Sequence, residues 1–331
     1  MLIRIKIKNL FNVYNYDIDL TNSDGSTIKF ITAPNGYGKT TILDFIDSSM
    51  KQSFERFFEV PFSHFELYYD EAEANVAYLY SVTRNDEKSK SVDTDLTETF
   101  VKNLKVRLSR SYDNKETLIE EFTIIQTADG KIVTTGDTDN IKMFFESRTC
   151  YYLNDHRLLS IKFTTSDDSI IIEDQPRAIE RLASYPKEIK DILDSPVLSK
   201  LYEPRIACLR DVITRSEFAN KHLEIDKRFG FRFVADDELH TILFLDQLSS
   251  GEKQIRIQTF ELLFRAESGT LVMIDEPELS LHMMWQMNYL KNLSQIADLR
   301  GFQCIVATHS PQIFNSLWSK SVDLFNNSNQ E

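Results

Sequence analysis

A chain of 331 residues, 42% hydrophobic and 27% charged, is long enough for one elaborated domain or two around a sizeable core. No run of about 18 apolar residues occurs, and the N-terminus MLIRIKIKNL alternates charge with isoleucine, so neither a membrane-spanning helix nor a signal-peptide core is expected and a cytoplasmic protein is. A formal charge of −13 repels nucleic acid at long range, so any such contact needs a local basic patch, and the dispersed Cys150, Cys208 and Cys304 suggest buried thiols, not a zinc site or a disulfide framework.

In chain order, Ile3, Ile5 and Ile7 alternate with Arg4, Lys6 and Lys8, then Tyr14, Tyr16, Ile18 and Leu20 alternate with Asn15, Asp17 and Asp19. Both patterns predict half-wet strands of an antiparallel sheet. IKFIT (28–32) predicts a buried strand, and Ile42, Leu43, Ile46 and Met50 recur at helical spacing, so the segment between them joins strand to helix. NVAYLYSV, LKVRLS and ETLIEEFTIIQTADGKIVTT, with a turn at Asp129-Gly130, predict an antiparallel insertion. From Pro176 to about Ala219 the pattern turns helical, with Val197, Leu198, Leu201, Ile206, Leu209, Val212 and Ile213 as the apolar face, and no heptads extend far enough for a coiled-coil arm. FGFRFV and HTILFL suggest a hairpin. TLVMID (270–275) and QCIVATHS (303–310) are continuous apolar runs ending in polar residues, the pattern of buried parallel strands with functional tips.

ITAPNGYGKTTILDF (31–45) is a phosphate loop with alanine, Ala33, where the usual pattern begins with glycine. In such a loop backbone N–H groups wrap phosphates, a lysine reaches the outer ones and a hydroxyl ligates Mg2+. Asn35, Gly36, Gly38, Lys39, Thr40 and Thr41 fill those posts, which predicts ATP and Mg2+ as cofactors. In LVMIDEPE, Asp275 at the tip of a buried strand suits the metal, with Thr40, and the adjacent Glu276 suits a base that orients water. His309, at the end of the last strand, is placed to touch a terminal phosphate. Two solvated acids and a structural histidine are the plainer reading, which the upstream loop disfavours. LSSGEKQ (248–254) precedes a helix whose first amides offer a second anion site.

The order of these motifs resembles the ABC-type ATPases, and DEPELSLH with LSSGEKQ resembles in particular the RecF, structural-maintenance and overcoming-lysogenization-defect-like branch, many of whose members serve bacterial anti-phage systems. The resemblance covers residues 1–50 and about 228–325. It implies an α/β fold: a P-loop ABC-ATPase head with a parallel core sheet, an antiparallel β subdomain and an inserted helical lobe. The divisions expected are 1–50 with 228–331 as a discontinuous ATPase core, 51–175 as the antiparallel insertion and 176–227 as the helical lobe. It also implies a homodimer closed through ATP, in which Ser249 and Gly251 of one chain meet the other chain's nucleotide, with Ser280 to His282 crossing between them. A higher oligomer is left open. In YLNDHRL (152–158) His156 stands where relatives place a glutamine near the metal. A separately encoded effector, a nuclease or toxin, is the partner implied, and no membrane is. A RecF-like repair ATPase and an ATP-gated scaffold with little turnover are the alternatives. Residues 177–232 carry an excess of three positive charges, 12 Lys or Arg against 9 Asp or Glu, a surface for nucleic acid or simply a solvated helical face.

Overall fold

The computed structural model describes all residues except 72–75, 89–99, 114, 128–129, 154–161, 167–168, 174–175, 217–219, 245–246, 280, 316 and 328–331. The chain forms two compact units, residues 1–150 with 319–331, and residues 151–318.

The first unit begins with strands β1 (Leu2–Leu10), β2 (Tyr14–Asp19) and β3 (Ile28–Thr32), helices α1 (Lys39–Lys51) and α2 (Glu55–Glu59), then β4 (His64–Glu71), β5 (Val76–Lys88), β6 (Phe100–Tyr112), β7 (Lys115–Gln126), β8 (Ile132–Thr135) and helix α3 (Asp139–Glu146). Seven of these strands make one antiparallel sheet in the order β2-β1-β4-β5-β6-β7-β8. The N-terminal strands and the middle strands therefore share a sheet, because Ile5 and Ile7 pair with Leu67 and Phe65. All four side chains are fully buried. Alternation explains the arrangement: Arg4, on the other face, forms an ion pair with Asp17 at the surface. Helix α1 buries Ile42, Leu43, Phe45 and Ile46, and Phe45 stacks on Phe57 of α2 with ring centroids 4.3 Å apart. Each such side chain contributes roughly 1.5–3 kcal/mol on burial. The β7–β8 turn closes through the N–H of Gly130 on the carbonyl of Thr127, 2.9 Å, and Asp129 lies outside the described residues.

The second unit begins within β9 (Cys150–Leu153). It holds the hairpin β10 (Lys162–Ser166) and β11 (Ser169–Glu173), helices α4 (Pro176–Asp194) and α5 (Pro196–Arg215), and strands β12 (Lys221–Asp226), β13 (Gly230–Ala235) and β14 (Ile242–Leu243). Next come helix α6 (Ser250–Phe260), continued by a π-helical turn over Glu261–Arg265, then β15 (Leu271–Asp275), α7 (Met283–Arg300) and β16 (Gln303–Thr308). β15 and β16 pair in parallel, with Asp275 opposite Ala307, and every residue of β15 is buried. The crossover helix α7 between them makes the βαβ unit that parallel pairing requires. After it, β17 (Ser321–Asp323) and helix α8 (Leu324–Asn327) belong to the first unit, where β17 pairs in parallel with β3. The protein is thus mixed α/β, with parallel and antiparallel sheets.

Two expectations need correction. The apolar face expected of α5 is buried only from Ile206 onward; Val197, Leu198 and Leu201 are 76%, 39% and 65% exposed, so the first turns of that helix present apolar side chains to solvent. HTILFL supplies only the two residues of β14, and the main partner of β13 is KHLEID, whose alternation of polar with apolar residues is that of a half-buried strand. The hairpin turns at Gly230, where φ is +77° and an added Cβ would lie 1.7 Å from the carbonyl oxygen of Pro186 in α4. Glycine is demanded there twice over, by conformation and by space. The cysteines are free thiols, Cys208 and Cys304 buried and Cys150 half-buried, and burial pushes the Cys208 thiol up to about 11. That leaves it inert as a nucleophile.

Candidate functional site

In the first unit, the buried strand β3 delivers the chain to Ala33, itself buried, and the loop then turns through Gly36 (φ +90°) and Gly38 (φ +85°) into α1. A Cβ on Gly38 would meet Leu10 Cδ2 at 2.7 Å and Phe11 Cε2 at 3.2 Å, so the turn after β1 presses on the loop where it enters the helix. Asn35 and Gly36 are exposed, Thr40 is half-buried and Thr41 is buried. The Lys39 side chain is buried, and its Nζ donates to the carbonyls of Ala33 at 2.9 Å and Pro34 at 3.3 Å. The N-cap of α1 is Gly38, which has no side chain to cap the helix, and the first turn holds no acid. An uncapped helix start, with a lysine ammonium folded over the same loop, is chemically fitted to an anion. Beside the loop, Tyr16 donates its hydroxyl to the Tyr37 carbonyl at 2.9 Å, and the rings of Tyr14 and Tyr37 lie 5.2 Å apart. Motif reading missed these aromatic faces beside the loop; the alternation of Tyr14 and Tyr16 in β2 is the signal that was available, while Tyr37 belongs to the loop itself.

In the second unit, Asp275 is buried at the end of β15. Glu276 follows with φ +44°, a left-handed backbone rare outside glycine, held by its N–H on the carbonyl of Ala307 at 2.8 Å. Gln254 of α6 donates through Nε2 to the Pro277 carbonyl at 3.2 Å, which ties that helix to the acidic turn. His309 lies between two acids, its Nδ1 3.0 Å from Glu278 Oε1 and 3.9 Å from Glu276 Oε1. The structure thus brings Asp275, Glu276 and His309 to adjoining strand ends of one sheet. Among the described residues no three His, Cys, Asp or Glu side chains form a metal cluster of their own. A magnesium site of the phosphoryl-transfer kind needs none, since Mg2+ keeps water and substrate phosphates as ligands beside one or two protein oxygens. A hydroxyl such as that of Thr40 and a carboxylate such as that of Asp275 have the hard-oxygen chemistry required.

Ser249 is the N-cap of α6 and forms a reciprocal capping box: its Oγ accepts from the Glu252 N–H at 3.3 Å, and its own N–H donates to Glu252 Oε2 at 2.8 Å. Burial raises the Glu252 carboxyl, but Lys221, whose Nζ lies 2.8 Å from Oε1, and the Ser249 hydrogen bonds outweigh it and hold the group below its ordinary value. The helix start therefore carries a neutralised acid and two exposed hydroxyls, Ser249 and Ser250, while Gly251 is buried. One turn on, burial pushes the Arg256 guanidinium down to about 9; it lies 4.1 Å from the centre of the Phe233 ring. The π-helical turn after α6 is fixed by Glu261, which accepts from Tyr151 and from Tyr185 of α4, and Tyr185 stacks on Phe260 at 3.7 Å. Several basic residues of the helical region and the following hairpin are engaged locally, Lys190 with Asp194, Arg232 with Glu224 and Arg215 with Asn292. His156 and Ser280 lie outside the described residues.

A family model described as "AAA domain, putative AbiEii toxin, Type IV TA system" matches residues 34–315. Protein ea59 of Escherichia phage lambda is 33% identical over 89 residues, 25% of this chain and 17% of the relative. Retron Ec83 probable ATPase of Escherichia coli is 33% identical over 102 residues, 28% of this chain and 18% of the relative. The matched stretches thus span under a fifth of the length of either relative. Among solved structures, an Smc head bound to the C-winged helix domain of ScpA is similar over 95% of this chain and 91% of that one, with a TM-score of 0.46 and 13% identity. Among the described residues no helix is long and apolar enough to cross a membrane.

Proposed function

The chain belongs to the AAA-domain family described as putative AbiEii toxin, Type IV TA system, and on that premise we propose that it is a magnesium-dependent ATPase that closes into a homodimer around ATP. The observation that carries the reading is the phosphate loop: two left-handed glycines, an uncapped helix start and the buried Lys39 ammonium arranged over the same turn. Lys39 exchanges its two carbonyl partners for the outer phosphates, and the first amides of α1 hold the oxygens beside them. Magnesium, when bound, would supply charge neutralisation across those phosphates, and the Thr40 hydroxyl and the Asp275 carboxylate are the protein oxygens that would hold it. Glu276 orients the attacking water and accepts its proton, and His309 contacts the terminal phosphate through its outward nitrogen. The half-exposed faces of Tyr14 and Tyr37 suit stacking against a planar base. Ser249 and Gly251 serve the partner chain's nucleotide.

The role we infer is that of the sensor ATPase of a bacterial anti-phage system, acting on a separately encoded nuclease or toxin. The family description and the retron relative support that setting. A nuclease or toxin gene beside this one supports the reading, whereas replication genes alone would favour the repair alternative. The direct test of the site is Lys39→Ala. Calorimetric titration is expected to show ATP binding abolished, because the backbone amides alone leave the outer phosphate charge uncompensated. Unchanged affinity would remove the phosphate-loop assignment and the function built on it.

A further inference from the structure

Glu278, given no role above, is a carboxylate in an unusual place. Its side chain is 3% exposed, and its ion-pairing partner among the described residues is a histidine, not a lysine or arginine. A buried carboxylate persists only where donors converge on it. Here they converge on one oxygen. Oε1 accepts from Thr308 Oγ1 at 2.6 Å, from the His309 N–H at 2.8 Å and from the Ser310 N–H at 3.2 Å, and His309 Nδ1 lies 3.0 Å away. Oε2 is buried without a hydrogen bond. Every donor belongs to the segment that ends β16, while Glu278 belongs to the turn that follows β15. The far side of the same segment is held independently, since Ser310 Oγ donates to Gln286 Oε1 of α7 at 2.8 Å.

This geometry decides which face His309 presents. An unprotonated Nδ1 lone pair 3.0 Å from a carboxylate oxygen is repelled by it, so in the neutral ring this contact favours the proton on Nδ1 and turns Nε2 away from the acid. The histidine side chain is 43% exposed, so Nε2 faces a space that a ligand can enter. We propose that Glu278 is a positioning residue that fixes His309 as the Nδ1–H tautomer, with Nε2 toward the substrate's terminal phosphate, and locks the histidine segment to the turn carrying Glu276. A carboxylate that merely satisfied the hydroxyl and the two amides would need only those three donors; the imidazole nitrogen 3.0 Å from the same oxygen is what ties the carboxylate to the histidine ring. The identity of the ligand at Nε2 rests on the ATPase reading, whereas the tautomer does not.

The test uses the full chain with 15N-labelled histidine, recorded where the ring is neutral, and the His309 resonance identified by its loss in His309→Ala. Wild-type protein is expected to show the Nδ1–H pattern, and an Nε2–H pattern would overturn the proposal without any variant. In steady-state assays Glu278→Gln is expected to lower kcat by about tenfold or more, the effect typical of an outer residue that orients a functional histidine, with KM for ATP nearly unchanged. In a His309→Ala background the same change should add nothing. If Glu278→Gln slows that background as much as it slows wild type, Glu278 does not act through His309 and the proposal fails. Should the wild-type protein hydrolyse no ATP, the proposed function falls, while the tautomer read from the same sample still decides the role of Glu278.

Discussion

Glu276 combines a left-handed backbone, φ +44°, with the position at which the proposed chemistry needs a carboxylate. A side chain at such a φ costs about 1–2 kcal/mol relative to the right-handed region, and asparagine bears that conformation better than glutamate does. Glu276→Asn is therefore expected to abolish hydrolysis and yet raise the melting temperature by about 1–2 °C; scanning fluorimetry beside an ATPase assay checks both, and a lowered melting temperature would show that the strain is not there. This is a feature that sequence reading does not reach. The placement of Asp275 and Glu276 at a strand end was legible because an acid after a buried apolar run is conspicuous, but nothing in DEPE says that Glu276 turns left-handed. Nor does it say that Glu278 is enclosed by residues about thirty positions later. An isolated glutamate in an acidic stretch reads as solvated until its donors are placed around it.

At the scale of elements, the helices and strands that announced themselves were those with one dominant face: β3, α1, β15 and β16 are buried as their apolar runs suggested. β12 did not announce itself, because KHLEID spreads His222, Glu224 and Asp226 along one face and leaves two apolar residues on the other. Its position is set by β13 and by the close approach of Gly230 to α4, a tertiary constraint with no local signature. Gly230→Ala tests how firmly that hairpin is docked. A Cβ 1.7 Å from the Pro186 carbonyl oxygen cannot be accommodated by a side-chain shift alone. We expect a loss of about 2–3 kcal/mol, read from denaturant unfolding; a loss below about 0.5 kcal/mol would mean that α4 moves freely away from the hairpin. The exposed Val197, Leu198 and Leu201 were misread for a related reason: helical spacing shows that three residues share a face, not that anything covers it.

For the whole molecule, a charge of −13 on each chain means that two chains repel as they approach, and at physiological salt, with a Debye length of about 8 Å, that repulsion acts only near contact. The dimer proposal makes each catalytic site the joint property of two chains, which a mixing experiment can read. Lys39→Ala and Gly251→Asp proteins, each inactive alone, are expected to regain partial ATPase activity when combined, because one site of the heterodimer pairs an intact phosphate loop with an intact LSSGEKQ segment. A Gly251→Asp protein that hydrolyses ATP at the wild-type rate as a monomer would show instead that one chain holds the whole site. The joining of the N-terminal strands to the middle strands in one sheet was not legible, since the β1–β4 pairing links residues some sixty positions apart through burial on a shared face.

The contact between Gly38 and the turn after β1 has a consequence for heredity. Leu10 and Phe11 belong to no nucleotide-binding motif, and Phe11 itself turns left-handed at φ +55°. Yet their side chains border the one position where the phosphate loop enters its helix. In a saturating mutational scan selected for function, enlarging or reshaping either residue should therefore score with the loop mutants. A genetic map of this protein would place part of the proposed ATP site at residues 10 and 11, well upstream of the phosphate loop itself.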